Sequence, residues 1–103
     1  EVRIGRLFID LAAQRGAIDE REVDLTTYEY KVIEYLAMHP DAVVTKTTLS
    51  EHIYEEDADR DSNVIEVFVG RLRRKLDPEG TIQPIETLRG RGYRLNVRGL
   101  KGD

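Results

Sequence analysis

Residues 61–76 read Asp-Ser-Asn-Val-Ile-Glu-Val-Phe-Val-Gly-Arg-Leu-Arg-Arg-Lys-Leu. At helical spacing Ile65, Val69, Leu72 and Leu76 form one apolar stripe, the face a helix buries on a core. Val64, Val67, Phe68 and Arg71 form a second stripe that points elsewhere. One stripe is enough to dock a helix. A second face with an aromatic at its centre and Arg at its end invites a partner. Arg71, Arg73, Arg74 and Lys75 crowd into five positions, and the hairpin signal Thr87-Leu88-Arg89-Gly90-Arg91-Gly92-Tyr93 follows. A helix with a spare basic face and a Gly/Arg hairpin behind it implies a helix that enters a DNA groove with a basic wing at its side.

Downstream of that helix, Asp77-Pro78-Glu79-Gly80 is a stop, and two strands, 82–88 and 93–97, flank the hairpin tip. Upstream, residues 55–61 are too polar to bury and are expected to form a loop. Thr45 is the expected N-cap of a short helix that buries Leu49 and Ile53. Thr26 with Glu29 three positions on is a capping box, opening a helix whose core face is Tyr30, Ile33, Leu36 and Ala37 and which Pro40 ends. Residues 1–25 hold β-like runs at 2–4, 7–11, 17–18 and 23–25, broken at Arg15-Gly16 and Asp19-Glu20, and predict a small antiparallel sheet. The class is α+β, with one domain over residues 1–103.

A chain of 103 residues with 40% apolar content can bury one modest core and is expected to fold. It has no Cys, so disulfide frames and thiolate metal sites are excluded, and no apolar run has the length of a membrane span. These features place it in a reducing, cytoplasmic compartment. Its first residue is Glu, and an excised part of a longer chain is expected. Net charge is −4, unusual for a nucleic-acid binder. The distribution of charge points the other way. Residues 1–59 carry 6 Lys/Arg against 14 Asp/Glu, whereas residues 60–98 carry 9 against 5. Charges more than about 8 Å apart are largely screened at physiological salt. The basic half can therefore hold a polyanion while the acidic half faces away.

The order sheet, helix, helix, long helix, hairpin resembles the winged-helix DNA-binding effector domain of OmpR/PhoB-type response regulators, with a PhoP- or QseB-like run at residues 69–76. The resemblance covers nearly the whole chain. It rests on Leu25-Thr26-x-x-Glu29-Tyr30, Val44-Thr45-Lys46-x-x-Leu49, Val67-x-Val69-x-Arg71-Leu72-Arg73-x-Lys75-Leu76 and Thr87-Leu88-Arg89-Gly90-Arg91-Gly92-Tyr93. It implies a winged helix-turn-helix with an N-terminal antiparallel sheet, three helices and a C-terminal hairpin wing. It also implies a transcription factor that binds direct promoter repeats as a head-to-tail tandem dimer. In that family a sensor kinase acts through a receiver domain, and nothing in this chain resembles one.

The same resemblance implies roles for individual residues. It places Arg71 at base edges; Val64, Val67 and Phe68 share the Arg71 helix face and are expected to meet bases with it, as is Asn63, although Phe68 departs from the more polar residue the family often has there. Arg suits guanine because two N–H groups address O6 and N7 together, and a free Phe68 ring suits a thymine methyl. Phe68 lies one position off the Ile65/Val69/Leu72 stripe, which argues for exposure over burial. Asn63 can instead cap the helix with Glu66 as its box partner. Lys46, Tyr54, Arg73, Thr87 and Tyr93 are expected at phosphates, with the Tyr93 ring packed beneath the helix. Arg74 and Lys75 are expected to be solvated or paired with Asp77 and Glu79. Arg89 and Arg91 belong to the wing, with Arg89 in the minor groove, where a narrow A·T groove attracts Arg. Glu55, Glu56, Asp57 and Asp59 form a possible RNA polymerase contact, against the plainer reading of a solvated linker. Gly70 stands where some members of the family have a phosphate-binding Arg, so that contact is absent here; Gly inside a helix, at a cost of about 1 kcal/mol against Ala, implies close approach of its backbone to DNA or to a packed neighbour.

The runner-up function is a protein-binding winged helix that uses the Phe68 face, favoured slightly by the net negative charge. An enzyme stands third. No Ser/His/Asp set, phosphate-cradling Gly-rich loop or carboxylate/His metal cluster is present, and neither His39 nor His52 has metal-ligand partners at suitable spacing. No cofactor, metal or membrane association is expected.

Overall fold

Thr26 opens the first helix through a complete capping box. Its hydroxyl accepts the Glu29 N–H, and the Glu29 carboxylate accepts the Thr26 N–H. A computed structural model describes residues 1–54 and 64–102 of the chain. The predicted roles of Asn63, Glu55, Glu56, Asp57 and Asp59 lie outside the described residues.

Four short strands come first: β1 (Val2–Ile4), β2 (Leu7–Asp10), β3 (Arg15–Ile18) and β4 (Arg21–Val23). They form an antiparallel meander in chain order, with Ile9 opposite Val2 and Gly16. Leu7, Ile9 and Ile18 turn inward to the core. The predicted break at Arg15-Gly16 is corrected, because both residues belong to β3 and the turn falls at residues 11–14. Gly16 reads as punctuation but serves space: a Cβ there would stand 3.2 Å from the Leu25 Cδ1.

Helices α1 (Thr27–Met38), α2 (Lys46–Ile53) and α3 (Val64–Leu76) follow. Thr45 caps α2 by accepting the Thr48 N–H. Tyr30, Val32, Ile33 and Leu36 of α1 share one core with Leu49 and Ile53 of α2 and with Ile65, Val69, Leu72 and Leu76 of α3. At the end of α3 the Asp77 carboxylate accepts the N–H groups of Thr81, Ile82 and Gln83 at 2.8–3.0 Å. Burial raises the Asp77 pKa, but these backbone donors outweigh it and hold the group below its ordinary value. Asp77 is therefore occupied by the turn and unavailable to Arg74 or Lys75.

The hairpin is β5 (Ile85–Leu88) with β6 (Gly92–Leu95), shorter than the predicted 82–88 and 93–97. The Asp77 turn claims residues 81–83, and Pro84 separates them from the ladder. Beyond β6 the chain turns into α4 (Val97–Lys101), a fourth helix not expected from the sequence, and Val97 opens it in place of ending the strand. The Asn96 side chain accepts the Gly99 N–H to start it, and Leu100 is buried. Val44 pairs with Tyr93 through two backbone bonds of 2.7 and 2.8 Å, fastening the lead-in to α2 against the hairpin. Gly92 makes this possible: its φ is +139°, and a Cβ there would lie 2.1 Å from the Val44 oxygen.

Candidate nucleic-acid interface

Helix α3 offers solvent a face made of Glu66, Val67, Gly70, Arg71 and Arg74. Val67 is 48% exposed. Arg71 and Arg74 make no hydrogen bond or ion pair with any described residue. Val67 and Arg71 thus stand on the outward face expected from the helical spacing, while Val64 is half-buried against the core.

Phe68 corrects that expectation. It is only 7% exposed, and its ring lies 5.6 Å from that of Tyr28, which in turn meets Tyr54 edge-on at 5.2 Å. At 100° per residue Phe68 sits about 40° from Leu72, inside the broad apolar arc of a core-facing helix. A stripe drawn only through Ile65, Val69 and Leu72 is too narrow. Phe68 therefore builds an aromatic wall beneath the exposed face and is unavailable to bases. The wall leaves Tyr28 partly open at 41%, a residue that no motif in the sequence singles out.

The five-residue basic run divides by partner. The Arg73 guanidinium donates to the Ile85 carbonyl at 2.8 Å and to the Thr87 hydroxyl at 2.7 Å, so it ties α3 to β5. Lys75 reaches the Glu29 carboxylate at 2.6 Å instead of Asp77 or Glu79. Burial raises the Glu29 pKa, but the bonds from Lys75 and Thr26 prevail and hold it below its ordinary value. Within the run, only Arg71 and Arg74 have guanidinium groups that no described residue claims.

Lys46, in the first turn of α2, pairs with Glu66 on the neighbouring solvent face of α3. This bond raises the Lys46 pKa above its ordinary value. The pairing is not legible in sequence, because 20 residues separate the partners. Tyr93 is buried in the core near the charged groups of Lys46, Glu66 and Arg73, and burial raises the pKa of its hydroxyl. Tyr54 is half-buried at the C-terminal end of α2.

Leu88 and Gly92 close the hairpin ladder and leave Arg89, Gly90 and Arg91 as its tip. The Arg91 N–H bonds the Leu88 carbonyl at 2.8 Å across a turn that requires Gly90 at φ +73°. Arg89 and Arg91 are exposed and unpaired among the described residues. Two elements with free arginines, α3 and the tip, are thus held in one frame by Arg73. Among the described residues no group of His, Asp and Glu is placed to hold a metal, and no helix is long and apolar enough to cross a membrane.

Residues 20–95 match the family described as transcriptional regulatory protein, C terminal. The chain is 47% identical over 97 residues to the two-component response regulator PhoP of Pseudomonas aeruginosa, covering 94% of this chain and 43% of that protein. It is 35% identical over the same length to the transcriptional regulatory protein PrrA of Mycobacterium tuberculosis, covering 42% of it. The chain therefore spans less than half the length of these relatives. Among solved structures, the DNA-binding domain of the response regulator AdeR in complex with an intercistronic region superposes with TM-score 0.80 at 30% identity, covering 92% of this chain and 97% of that one. The DNA-binding domain of CpxR from E. coli superposes with TM-score 0.76 at 28% identity, over 91% and 93%.

Proposed function

This chain belongs to the family of transcriptional regulatory protein C-terminal domains, a family of regulators and not of enzymes, and from that premise we propose that it is the DNA-reading output domain of a two-component response regulator. Helix α3 enters the major groove and the hairpin enters the adjacent minor groove. One observation carries the reading: Arg71 on α3 and Arg89 and Arg91 at the tip are exposed and unpaired among the described residues, on two elements that Arg73 locks together. Arg71 and Val67 face base edges, Arg71 bidentate to guanine and Val67 against a thymine methyl. Lys46, Tyr54, Thr87, the remaining N–H groups of Arg73 and the Tyr93 hydroxyl are the phosphate contacts. Arg89 reads minor-groove width.

At the level of the whole protein, the proposal extends to a cytoplasmic regulator that binds direct repeats in promoter DNA as a tandem dimer. A sensor kinase controls it through a receiver domain, and RNA polymerase is a further partner. The test is selection of duplexes from a randomised pool by this 103-residue chain. Enrichment of a repeated motif supports the reading. If no duplex is enriched, the reading fails and the protein-binding alternative takes its place.

A further inference from the structure

Nothing among the described residues explains Gly70. It lies in the middle of α3, on the solvent face, where Gly is worse than Ala by a measurable margin. Its φ is not left-handed, so no backbone strain requires it. Among the described residues an added Cβ would meet one atom within 4 Å, the Nη1 of Arg74 at 3.7 Å. Arg74, one turn on, leans back over Gly70, as helical side chains tilt toward the N-terminus. The result is a notch: bare backbone at Gly70, roofed at one end by a guanidinium that no described residue claims.

We propose that Gly70 and Arg74 form a seat for a DNA phosphate. The inference rests on the DNA-binding reading above and adds two residues to it. In a helix that enters the major groove, residues toward its C-terminal end, beyond the base-facing Arg71, come near the sugar–phosphate strand. Arg74 stands in the last turn of α3. Each N–H of its fork can donate to a phosphate oxygen, and the missing Cβ at Gly70 lets the strand come to the helix surface. Gly70 is a positioning residue here, and Arg74 is the contact.

The test measures binding of wild type, Gly70→Ala, Arg74→Ala and the double variant to the duplex enriched from a randomised pool, over a salt series, with thermal unfolding alongside. Gly70→Ala should raise the unfolding midpoint by roughly 4 °C and yet weaken binding about tenfold. Arg74→Ala should weaken binding about five- to tenfold on selected and random duplexes alike. It should also flatten the slope of log K against log salt by roughly 0.9. In the Arg74→Ala background Gly70→Ala should cost much less than in wild type, because the seat is already lost.

A Gly70→Ala variant that binds as tightly as wild type overturns the proposal, as does an unchanged slope in Arg74→Ala. Fully multiplicative losses would show two unrelated sites and also overturn it. So would a loss by Arg74→Ala confined to the selected duplex, which would make Arg74 a base reader. A wild-type chain that enriches no duplex overturns this inference together with the DNA-binding reading. Tight wild-type binding with silent variants overturns this inference alone.

Discussion

The Lys75 ammonium sits 2.6 Å from the Glu29 carboxylate, joining the last turn of α3 to the first turn of α1 across 46 residues of chain. Glu29 is 1% exposed, its Oε2 has no partner among the described residues, and Lys75 is 35% exposed. Removing one partner of a buried pair strands the other charge and costs about 3–5 kcal/mol. The open side of Lys75 screens part of that, so Lys75→Ala should destabilise by about 2 kcal/mol. The folded-state pKa of Glu29 is depressed, so its contribution is complete above the unfolded value and is lost as pH falls below about 4. In Lys75→Ala the carboxylate keeps its burial but loses its main counterweight, so its folded-state pKa rises, the acid limb of stability flattens and the deficit against wild type shrinks as pH falls. Denaturant midpoints from about pH 3 to 7 on both proteins check this, spanning the carboxylate range, and superimposable acid limbs would refute it.

Arg71→Ala should cost about 1–3 kcal/mol on the selected duplex and relax preference at one position per half-site. Affinity for random duplex should fall much less. Competition binding with single-base variants of the selected site measures both. Equal losses on selected and random DNA would make Arg71 a phosphate contact.

Lys46 and Glu66 should respond in opposite directions. A phosphate that takes Lys46 must displace Glu66, and Glu66 itself repels the polyanion. Lys46→Ala should weaken binding to every duplex and flatten the salt slope by roughly one. Glu66→Gln should tighten binding to random duplex several-fold at low salt. Fluorescence anisotropy at several salt concentrations resolves the two effects. A Glu66→Gln variant that loses affinity would show the pair to be a positioning device and not a mask.

Arg89→Ala should reduce affinity most for sites with A·T-rich flanks and leave the major-groove motif intact. Folding should barely change, since exposed tip residues rarely alter stability by more than about 0.5 kcal/mol. Paired sites with A·T-rich and G·C-rich flanks, tested against wild type and variant, isolate the effect. An unchanged flank preference in the variant would leave Arg89 as a generic charge.

Local chemistry is legible in the sequence, and long-range partnership is not. The Thr26/Glu29 box and the Thr45 cap are decided within four residues, and both stand where the sequence puts them. The Arg89-Gly90-Arg91 tip is equally local. Asn96 is also a local cap, but a strand-like run before it hides the short α4. Phe68 is misread from spacing alone because an apolar arc has a width that only the packed neighbours define, here Tyr28 on α1. The division of the basic run depends on Glu29, Ile85 and Thr87, residues far away in the chain. No spacing rule within 71–75 separates Arg73 and Lys75, which brace the fold, from Arg71 and Arg74, which remain available.

The bonds from Arg73 to Ile85 and Thr87 make the helix and the hairpin a two-pronged gauge. With both prongs set by one guanidinium, the distance from Arg71 to Arg89 is a property of the protein before any duplex arrives. Under the proposed DNA-binding reading, a site whose minor groove sits at another offset or width cannot be met by swinging the hairpin. The duplex must bend, and bending energy depends on sequence at positions no side chain touches. Stiffness in this bracket is therefore a source of selectivity, exercised on the mechanics of the DNA as much as on its letters.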